Sequence, residues 1–377
     1  MTRTPIGRLR QAGTSLWLDH LSRADLHDGS LAELVAGHGV LGITSNPTIL
    51  AQSLASGAEA YAPHLDVLAR KGASARDALR ELATYDVRRA ADLLEPVYRE
   101  TGGEDGHVSL EVDPAHAHDA DATLAEARLL RAEVGRPNLM VKIPATPEGL
   151  RAVTGALAEG INVNATLIFS RERYARVAEA FLTGLEQAHR AGHDLSRIAS
   201  VASFFVSRVD TAVDRELDRA GGDEPRALRG RAAVANARLA YARWEEVVAG
   251  PRWRRLAALG ARPQRLLWAS TGVKDPTYED TRYVDELAAP ATVNTVPPAT
   301  LRAVADHGRA DGRSRIAGTY DDARRVLGAL PCFGIDFDAL TDRLAREALA
   351  AFKASWEQMS RQVDESLMTR RVLQEAA

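Results

Sequence analysis

The stretch that decides the fold is Leu139-Met-Val-Lys-Ile-Pro-Ala-Thr-Pro-Glu-Gly-Leu150. Its first half, 139–145, is short, rich in aliphatic residues and interrupted by proline, as is typical of a buried strand. A helix is predicted to follow at once over 147–158, because apolar residues recur there every three or four positions. Thr146 can cap that helix, and Pro147 suits its first turn. A strand followed directly by a helix is the repeating unit of a parallel α/β sheet.

Seven further segments have the composition of a buried strand. The eight predicted strands are 15–20, 41–46, 108–113, 139–145, 161–169, 198–206, 265–272 and 291–297. Helical patterns lie between most of them, so the strands should run parallel. Eight such units predict a (β/α)8 TIM barrel of the α/β class, with residues 1–377 forming a single domain.

Two gaps between the predicted strands are long. Segments 51–107 and 207–264 each have room for two or three helices, which we interpret as helical insertions after strands 2 and 6. Gly102-Gly103 and Gly221-Gly222 mark loop turns within them. Apolar residues at helical spacing over 338–362 predict a C-terminal helix that closes the barrel.

Charge and composition exclude several classes of protein. The 377 residues include 48 Lys and Arg against 51 Asp and Glu, a formal charge of −3, whereas proteins that bind nucleic acids or membrane surfaces are normally basic. The sequence has no apolar run long enough for a membrane span and no signal-peptide pattern. Its single cysteine, Cys332, cannot form an intrachain disulfide. We therefore expect a cytoplasmic monomer or homodimer without nucleic-acid or membrane partners.

Lysine is scarce, since 48 cations include 48 − 4 = 44 arginines. The four lysines are Lys71, Lys142, Lys274 and Lys353. Lysine, unlike arginine, can lose its proton away from water and then act as a nucleophile. Lys142 lies between two aliphatic residues of a predicted strand. It points either into the barrel or outward between helices, where its charged end would reach solvent.

Polar residues of several strands fall on a single face. Strand residues alternate sides, and in a barrel one side points to the axis. The polar face comprises Asp19, Thr44, Asn46, Ser109, Glu111, Asp113, Lys142, Asn162, Asn164, Thr166, Ser203 and Ser270. One such residue is usually a structural hydrogen bond, but seven strands that agree predict an active site at the C-terminal ends of the strands.

Motifs for several other chemistries are missing from the sequence. It has no HExxH or Cys-paired zinc pattern, no Walker A sequence and no GxGxxG fingerprint. His116 and His118 are followed by acidic residues, but residues two apart on a helix do not face each other, so a solvated turn is the better interpretation. The cluster Arg252-Trp-Arg-Arg255 is typical of a solvated helix face. No metal and no organic cofactor is predicted.

Gly42-Ile-Thr-Ser-Asn-Pro-Thr-Ile-Leu50 and Leu139–Leu150 are the most distinctive segments of the sequence. The first resembles the N-terminal fingerprint of the transaldolase family, and the second resembles the segment around that family's Schiff-base lysine. The resemblance extends through 160–169 and 203–208 and spans residues 15–300. It implies a class I aldolase barrel of the non-oxidative pentose phosphate pathway. The implied reaction moves a dihydroxyacetone unit from sedoheptulose 7-phosphate to glyceraldehyde 3-phosphate, giving erythrose 4-phosphate and fructose 6-phosphate.

The resemblance also implies roles for the polar face. Lys142 is similar to the Schiff-base nucleophile, Asp19 to the acid/base, and Glu111 and Thr166 to the pair that positions a catalytic water. The implied substrate-binding residues are Thr44, Asn46, Asn164, Ser203, Phe205, Arg208 and Ser270. The implied substrates are sugar phosphates.

Gly272 departs from the family pattern, because many members have an arginine at that position. The nearest cation is Lys274. It either reaches back to complete a phosphate site with Arg208, or it is a solvated loop residue.

Three other functions stay open at this stage. Related barrels cleave fructose 6-phosphate as simple aldolases, but they are shorter and carry Gln and Tyr where this chain has Glu111 and Phe205. A metal-dependent aldolase would need a histidine pattern that the sequence lacks. A barrel that only binds sugar phosphates would not need Lys142 and Asp19 together with Glu111.

Overall fold

The chain folds into a closed barrel of eight parallel strands. The structure, a computed structural model, describes residues 4–375. The strands are β1 (Thr14–Asp19), β2 (Gly42–Thr44), β3 (His107–Glu111), β4 (Leu139–Pro144), β5 (Val163–Ile168), β6 (Ser200–Phe205), β7 (Arg265–Ala269) and β8 (Thr292–Val296). They pair in chain order, and β8 pairs with β1. The predicted (β/α)8 barrel is confirmed, and no observed strand starts or ends more than one residue outside its predicted segment.

Helices surround the barrel. They are α1 (Pro5–Gln11), α2 (Arg23–Asp28), α3 (Ser30–His38), α4 (Pro47–Ser56), α5 (Ala58–Arg70), α6 (Ala75–Glu100), α7 (Ala120–Val134), α8 (Pro147–Ala158), α9 (Arg171–Arg190), α10 (Ser207–Ala220), α11 (Asp223–Leu228), α12 (Ala232–Ala249), α13 (Pro251–Ala258), α14 (Arg282–Asp285), α15 (Pro298–His307), α16 (Tyr320–Ala329) and α17 (Phe337–Glu375). Short 3-10 helices occur at Pro114–His118, Leu195–Arg197 and Leu330–Phe333. Within residues 4–375, no helix combines the length and apolar character needed to cross a bilayer.

Helix α8 shows how local chemistry sets the spacing between a strand and the next helix. The Thr146 hydroxyl accepts a hydrogen bond from the Gly149 backbone N–H at 2.9 Å, and Pro147 occupies the first turn, as predicted. A side chain at Gly149 would collide with the carbonyl oxygen of Pro144. Glycine therefore allows α8 to begin immediately after β4 and to pack closely on its end.

The predicted helical insertions are present, although one contains more helices than expected. Three helices, α4 to α6, follow β2, whereas four, α10 to α13, follow β6. Gly221 and Gly222 have φ values of 68° and 92°, which end α10 and allow α11 to start afresh. The prediction of two or three helices after β6 was wrong because α11 has only six residues, too few turns for its periodicity to show.

The C-terminal helix closes the barrel and is longer than predicted. It starts at Phe337 and continues to Glu375, because Met359, Val363 and Leu367 extend its buried stripe beyond residue 362. It packs against α4, α5 and α6. The helix also lines the cavity at the C-terminal ends of the strands through Phe352. Helices α15 and α16, which follow β8, were not predicted.

A buried polar network closes the other end of the barrel. The Asp105 carboxylate accepts hydrogen bonds from Ser15 Oγ at 2.7 Å, Trp17 Nε1 at 2.9 Å and Arg265 Nη2 at 2.8 Å. Ser15 and Arg265 lie at the N-terminal ends of β1 and β7. These contacts fill the N-terminal end of the barrel with fixed polar groups, so its open end is the C-terminal one.

Candidate active site

Lys142 points into the barrel. Its side chain lines a cavity at the C-terminal ends of the strands, and the residue is only 4% exposed, so the outward alternative is wrong. The ammonium nitrogen donates to the Ser45 carbonyl oxygen at 3.1 Å and lies 3.3 Å from Glu111 Oε2. Strand register explains this contact, because Lys142 pairs with Glu111 on β3 and with Asn164 on β5. Three adjacent strands thus bring their polar residues to the same level of the barrel.

Glu111 is a buried carboxylate whose pKa lies near neutral pH. Burial raises its pKa to about 7; the charge of Lys142 opposes this rise, and Asp19 adds to it. Apart from the ion pair with Lys142, neither carboxylate oxygen has a hydrogen-bond partner among residues 4–375. The Thr166 hydroxyl is also buried and unpartnered in that part of the chain. A carboxylate in this state can accept or release a proton at physiological pH.

Asp19 is held at the cavity wall by a short hydrogen-bond chain. The Thr44 hydroxyl donates to Asp19 Oδ1 at 2.6 Å and lies 2.7 Å from the Thr295 hydroxyl. Because Thr44 has one hydroxyl proton and gives it to Asp19, the Thr295 hydroxyl must donate to Thr44. The carboxylate is consequently oriented by groups on β2 and β8 while staying partly exposed to the cavity.

The two predicted asparagine ligands have different surroundings. Asn164 is fully buried, donates to Ser109 Oγ at 3.1 Å and accepts from Ser203 Oγ at 2.7 Å. Asn46 lies just after β2, where its side-chain oxygen caps α4 by accepting from the Ile49 N–H at 3.1 Å. The amide NH2 of Asn46 is therefore the group that remains to donate to a ligand.

The cavity has a volume of about 420 Å³ and gathers nine of the twelve predicted site residues. These nine are Asp19, Thr44, Asn46, Lys142, Ser203, Phe205, Arg208, Ser270 and Lys274. The other three, Glu111, Asn164 and Thr166, do not line the cavity and are buried on β3 and β5. The site thus has an accessible layer and a buried layer, which sequence alternation alone did not separate.

Two cations, Arg208 and Lys274, line the cavity. Arg208 is partly buried, which lowers its pKa despite the opposing charge of Asp19, and its guanidinium lies 5.5 Å from the Phe205 ring centroid. Lys274 is exposed and lines the cavity together with Gly272. The cavity therefore carries the positive charge that an anionic group would require.

Sequence reasoning missed part of the cavity wall. The missed lining residues include His20, Thr48, Gln52, Thr295, Pro297 and Phe352. Phe352 lies on α17 with its ring centroid 5.9 Å from Lys142 Nζ. Helical periodicity placed it on a buried face, but periodicity does not say which surface that face covers.

Two members of the predicted polar face lie elsewhere. Asp113 comes after the end of β3, caps a 3-10 helix by accepting from the Ala115 N–H at 2.8 Å, and pairs with Arg76 at 3.2 Å. Asn162 precedes β5 and donates to the Leu139 carbonyl oxygen at 3.1 Å. Their predicted placement was wrong because the inward–outward alternation holds only within each strand.

The weaker motifs form no additional centre. His116 and His118 lie in the 3-10 helix, and Arg252 forms ion pairs with Glu179 and Glu186. In the described part of the chain, no group of three or more His, Cys, Asp or Glu side chains is arranged to hold a metal ion.

Comparisons with known proteins extend over nearly the whole chain. The transaldolase/fructose-6-phosphate aldolase family model matches residues 16–363. A protein named transaldolase from Thermobifida fusca is 56% identical over 364 residues, covering 97% of this chain and 98% of the relative. Transaldolases of Saccharopolyspora erythraea and Acidothermus cellulolyticus are 55% and 54% identical, over 97% and 96% of this chain and over 98% and 97% of their own lengths.

Proposed function

Because the chain belongs to the transaldolase/fructose-6-phosphate aldolase family, we propose that it is a transaldolase acting through a Schiff base on Lys142. It moves a dihydroxyacetone unit from sedoheptulose 7-phosphate to glyceraldehyde 3-phosphate, giving erythrose 4-phosphate and fructose 6-phosphate. The observation that carries this assignment is the buried Lys142 amine, 3.3 Å from Glu111, in a cavity that also exposes Asp19.

Schiff-base formation uses Lys142 with the buried pair Glu111 and Thr166. The unprotonated amine attacks the C2 carbonyl of the donor sugar, and loss of water from the resulting carbinolamine gives an iminium ion. The unpartnered Glu111 carboxylate and Thr166 hydroxyl support a bridging water between them. Through that water, Glu111 takes the proton released by the attacking amine and supplies the proton for the departing water.

Carbon–carbon cleavage uses Asp19. The carboxylate accepts the proton of the C4 hydroxyl while the C3–C4 bond breaks. The bonding electrons enter the iminium to form an enamine, and the first aldehyde leaves. The hydrogen bond from Thr44 at 2.6 Å keeps the accepting carboxylate in place.

Transfer requires that the enamine survive until the second aldehyde arrives. Phe205 and Phe352 place apolar rings on the cavity wall, and both are almost fully buried, so little water reaches Lys142. The Asn46 amide group is available to bind a hydroxyl of the three-carbon unit. The enamine then attacks the acceptor aldehyde, Asp19 returns its proton, and hydrolysis of the new iminium releases the product.

We assign the phosphate group of the substrate to the two cations that line the cavity, Arg208 and Lys274. Arg208 supplies a planar, permanently charged donor group, and Ser270 supplies a hydroxyl. Lys274 provides the second positive charge in the absence of an arginine at position 272. Cytoplasmic location, and assembly as a monomer or homodimer, remain predictions.

Covalent trapping tests the assignment. Borohydride reduction in the presence of fructose 6-phosphate should add a dihydroxyacetone-derived group to the peptide that contains Lys142, as read by mass spectrometry. The matched control is Lys142→Arg, which keeps the positive charge but cannot deprotonate, so it should be unlabelled and inactive. An adduct on Lys71, Lys274 or Lys353 would contradict the assignment.

A second assay separates transfer from simple cleavage. With sedoheptulose 7-phosphate and glyceraldehyde 3-phosphate, a transaldolase should form erythrose 4-phosphate and fructose 6-phosphate in equal amounts. Release of free dihydroxyacetone as the main product would instead favour a fructose-6-phosphate aldolase.

A further inference from the structure

A second cavity lies beside the catalytic one. It has a volume of about 360 Å³ and is enclosed by the C-terminal ends of β4 and β5, helix α9 and helix α17. The two cavities have no lining residue in common. None of the proposed catalytic steps uses the residues of this second cavity.

The charge of the second cavity is unbalanced. Its lining includes three basic side chains, Arg173, Arg346 and Lys353, against one carboxylate, Asp342. Arg173 Nη1 is buried without a hydrogen-bond partner in the described chain. Burial and the nearby charge of Arg176 lower the pKa of Arg173, although the Asp342 carboxylate opposes this shift. A buried guanidinium nitrogen that lacks a partner is costly, and an anionic ligand would satisfy it.

Most of the remaining wall is apolar, and His118 and Thr146 are its polar members. Pro144, Ala145 and Leu167 form the side against the barrel, while Ala345 and Leu349 form the side against α17. A free inorganic ion would leave this surface uncovered. The cavity therefore suits a ligand that carries its anionic group on a compact apolar body.

The cavity touches the backbone that positions the catalytic groups. The Ala145 N–H donates to the Thr166 carbonyl oxygen at 2.8 Å. Leu167 follows Thr166 with a φ of 61°, a strained value for leucine, at an irregularity in the pairing of β5. On α17, Phe352 faces the catalytic cavity and its neighbour Lys353 faces this one.

We propose that this cavity is an effector site for a small organic anion, a phosphate or carboxylate on a compact apolar body, whose binding changes the rate at the neighbouring active site. The ligand would lie between the cations and the apolar wall. By packing against Ala145 and Leu167, it would shift the backbone segment that carries Thr166. This proposal goes beyond the transfer reaction, because the site can bind its ligand whether or not Lys142 forms a Schiff base.

Calorimetric titration of the full chain tests binding, with phenyl phosphate, benzoate and inorganic phosphate as probes. We expect Arg173→Met to weaken binding of the preferred probe by at least about tenfold, since a charged hydrogen bond is lost. The matched control, Arg361→Met on α17 outside the cavity, should bind like the native protein. Arg208→Ala, which alters the catalytic cavity, should also retain this binding. Lys353→Met should also weaken binding, and because Lys353 is partly exposed, this substitution should not disturb folding.

Each outcome has a defined meaning. Tighter binding of phenyl phosphate or of benzoate identifies a phosphate or a carboxylate as the anionic group. Equal binding by Arg173→Met and Arg361→Met, or no binding of any probe at millimolar concentration, overturns the site. Inorganic phosphate binding as tightly as phenyl phosphate overturns the amphiphilic ligand. Binding without a change in the transfer rate overturns the effector role.

Discussion

At the scale of single residues, the proposed catalytic pair is an ion pair that a stable core would not require. Lys142 and Glu111 are both buried, and removing two charges from water costs several kcal/mol per ion before their attraction repays it. Their side chains come together because β3 and β4 pair in register. A role in proton transfer explains why the protein keeps this costly buried ion pair.

The first prediction concerns the pH dependence of the reaction. Burial raises the Glu111 pKa to about 7, so below that pH the carboxyl is protonated and cannot act as a base. The value of kcat should therefore fall as the pH drops from 8 to 6. Glu111→Gln should lower kcat by roughly 10²- to 10⁴-fold and remove this acid limb. Steady-state rates from pH 5 to 9 measure both effects.

Glu126 provides a matched control for that experiment. Burial raises its pKa to about 7 as well, but it lies on α7 and accepts from the Asp113 backbone N–H at 3.0 Å, outside the catalytic cavity. Glu126→Gln should keep the native acid limb. If both variants retain the limb, Glu111 is not the titrating base.

The second prediction concerns the phosphate end of the substrate. A Lys–phosphate contact contributes roughly 1.5–3 kcal/mol, or about 10- to 150-fold in binding. Lys274→Ala should reduce kcat/KM for fructose 6-phosphate by about that factor while sparing unphosphorylated fructose. Arg208→Ala should show the same selectivity more strongly. An unchanged ratio between the two sugars in Lys274→Ala would assign the phosphate to Arg208 without Lys274.

At the scale of secondary-structure elements, α17 connects the end of the chain to the catalytic centre. Its Phe352 is 2% exposed and lies over the Lys142 amine. A hydrogen bond between Thr48 and Ser355, with 3.1 Å between their hydroxyl oxygens, attaches α17 to α4. The helix thus covers the Lys142 amine and is attached to α4, the helix that Asn46 caps.

The third prediction tests this cover. Phe352→Ala should increase release of free dihydroxyacetone relative to transfer several-fold, because water can reach the enamine on Lys142. The substitution should also cost about 3–5 kcal/mol of unfolding free energy. Leu367→Ala, farther along α17, loses a fully buried side chain that lines neither the catalytic cavity nor the second one. It should be destabilised by about 2–5 kcal/mol while keeping the native ratio of release to transfer.

At the scale of the whole molecule, one end of the barrel contributes to stability and the other holds the proposed active site. The N-terminal end contains the fixed Asp105 network, whereas the C-terminal end contains the cavity and the reacting groups. Burial alone would raise the pKa of Asp105, but the Arg265 charge and three side-chain hydrogen bonds outweigh it and hold the pKa low. The carboxylate therefore contributes stability above its ordinary pKa, and that contribution is lost as the pH falls through the lowered value.

The fourth prediction is that stability and activity separate between these ends. Asp105→Asn leaves the buried Arg265 with only the exposed Glu104 carboxylate, 3.7 Å away, as a countercharge, and should lower the unfolding free energy by about 3–5 kcal/mol. The value of kcat at 25 °C should stay native, since the change lies at the end remote from Lys142. Urea unfolding and steady-state kinetics on the same preparation measure both quantities.

A surface ion pair supplies the control for stability. Asp92 pairs with Arg136 at 2.5 Å, with both side chains more than a third exposed. Asp92→Asn should change the unfolding free energy by less than about 1 kcal/mol. A comparable loss in both variants would mean that the Asp105 network contributes no more than a surface contact.

The sequence by itself determined the elements whose signals are local. Helix α8 has its predicted bounds because a threonine cap, a first-turn proline and a repeating apolar stripe all act within a few residues of one another. The eight strands follow from similarly short patterns, whereas the inward direction of Lys142 was decided by the structure. Asp19, Glu111 and Thr166 were found because strand alternation places polar residues on one face.

Only the tertiary structure decided which of these residues meet, and at what depth. Asn164 is buried beneath the cavity because of the register between β4 and β5. Asp113 lies away from the cavity because β3 ends at Glu111. Phe352 lies next to Lys142 although 210 positions separate them in the sequence, and no local pattern encodes that contact. The physical reason is that capping and periodicity depend on contacts between near neighbours in sequence. Barrel closure and helix docking depend on contacts between segments that approach each other only when the whole core is packed.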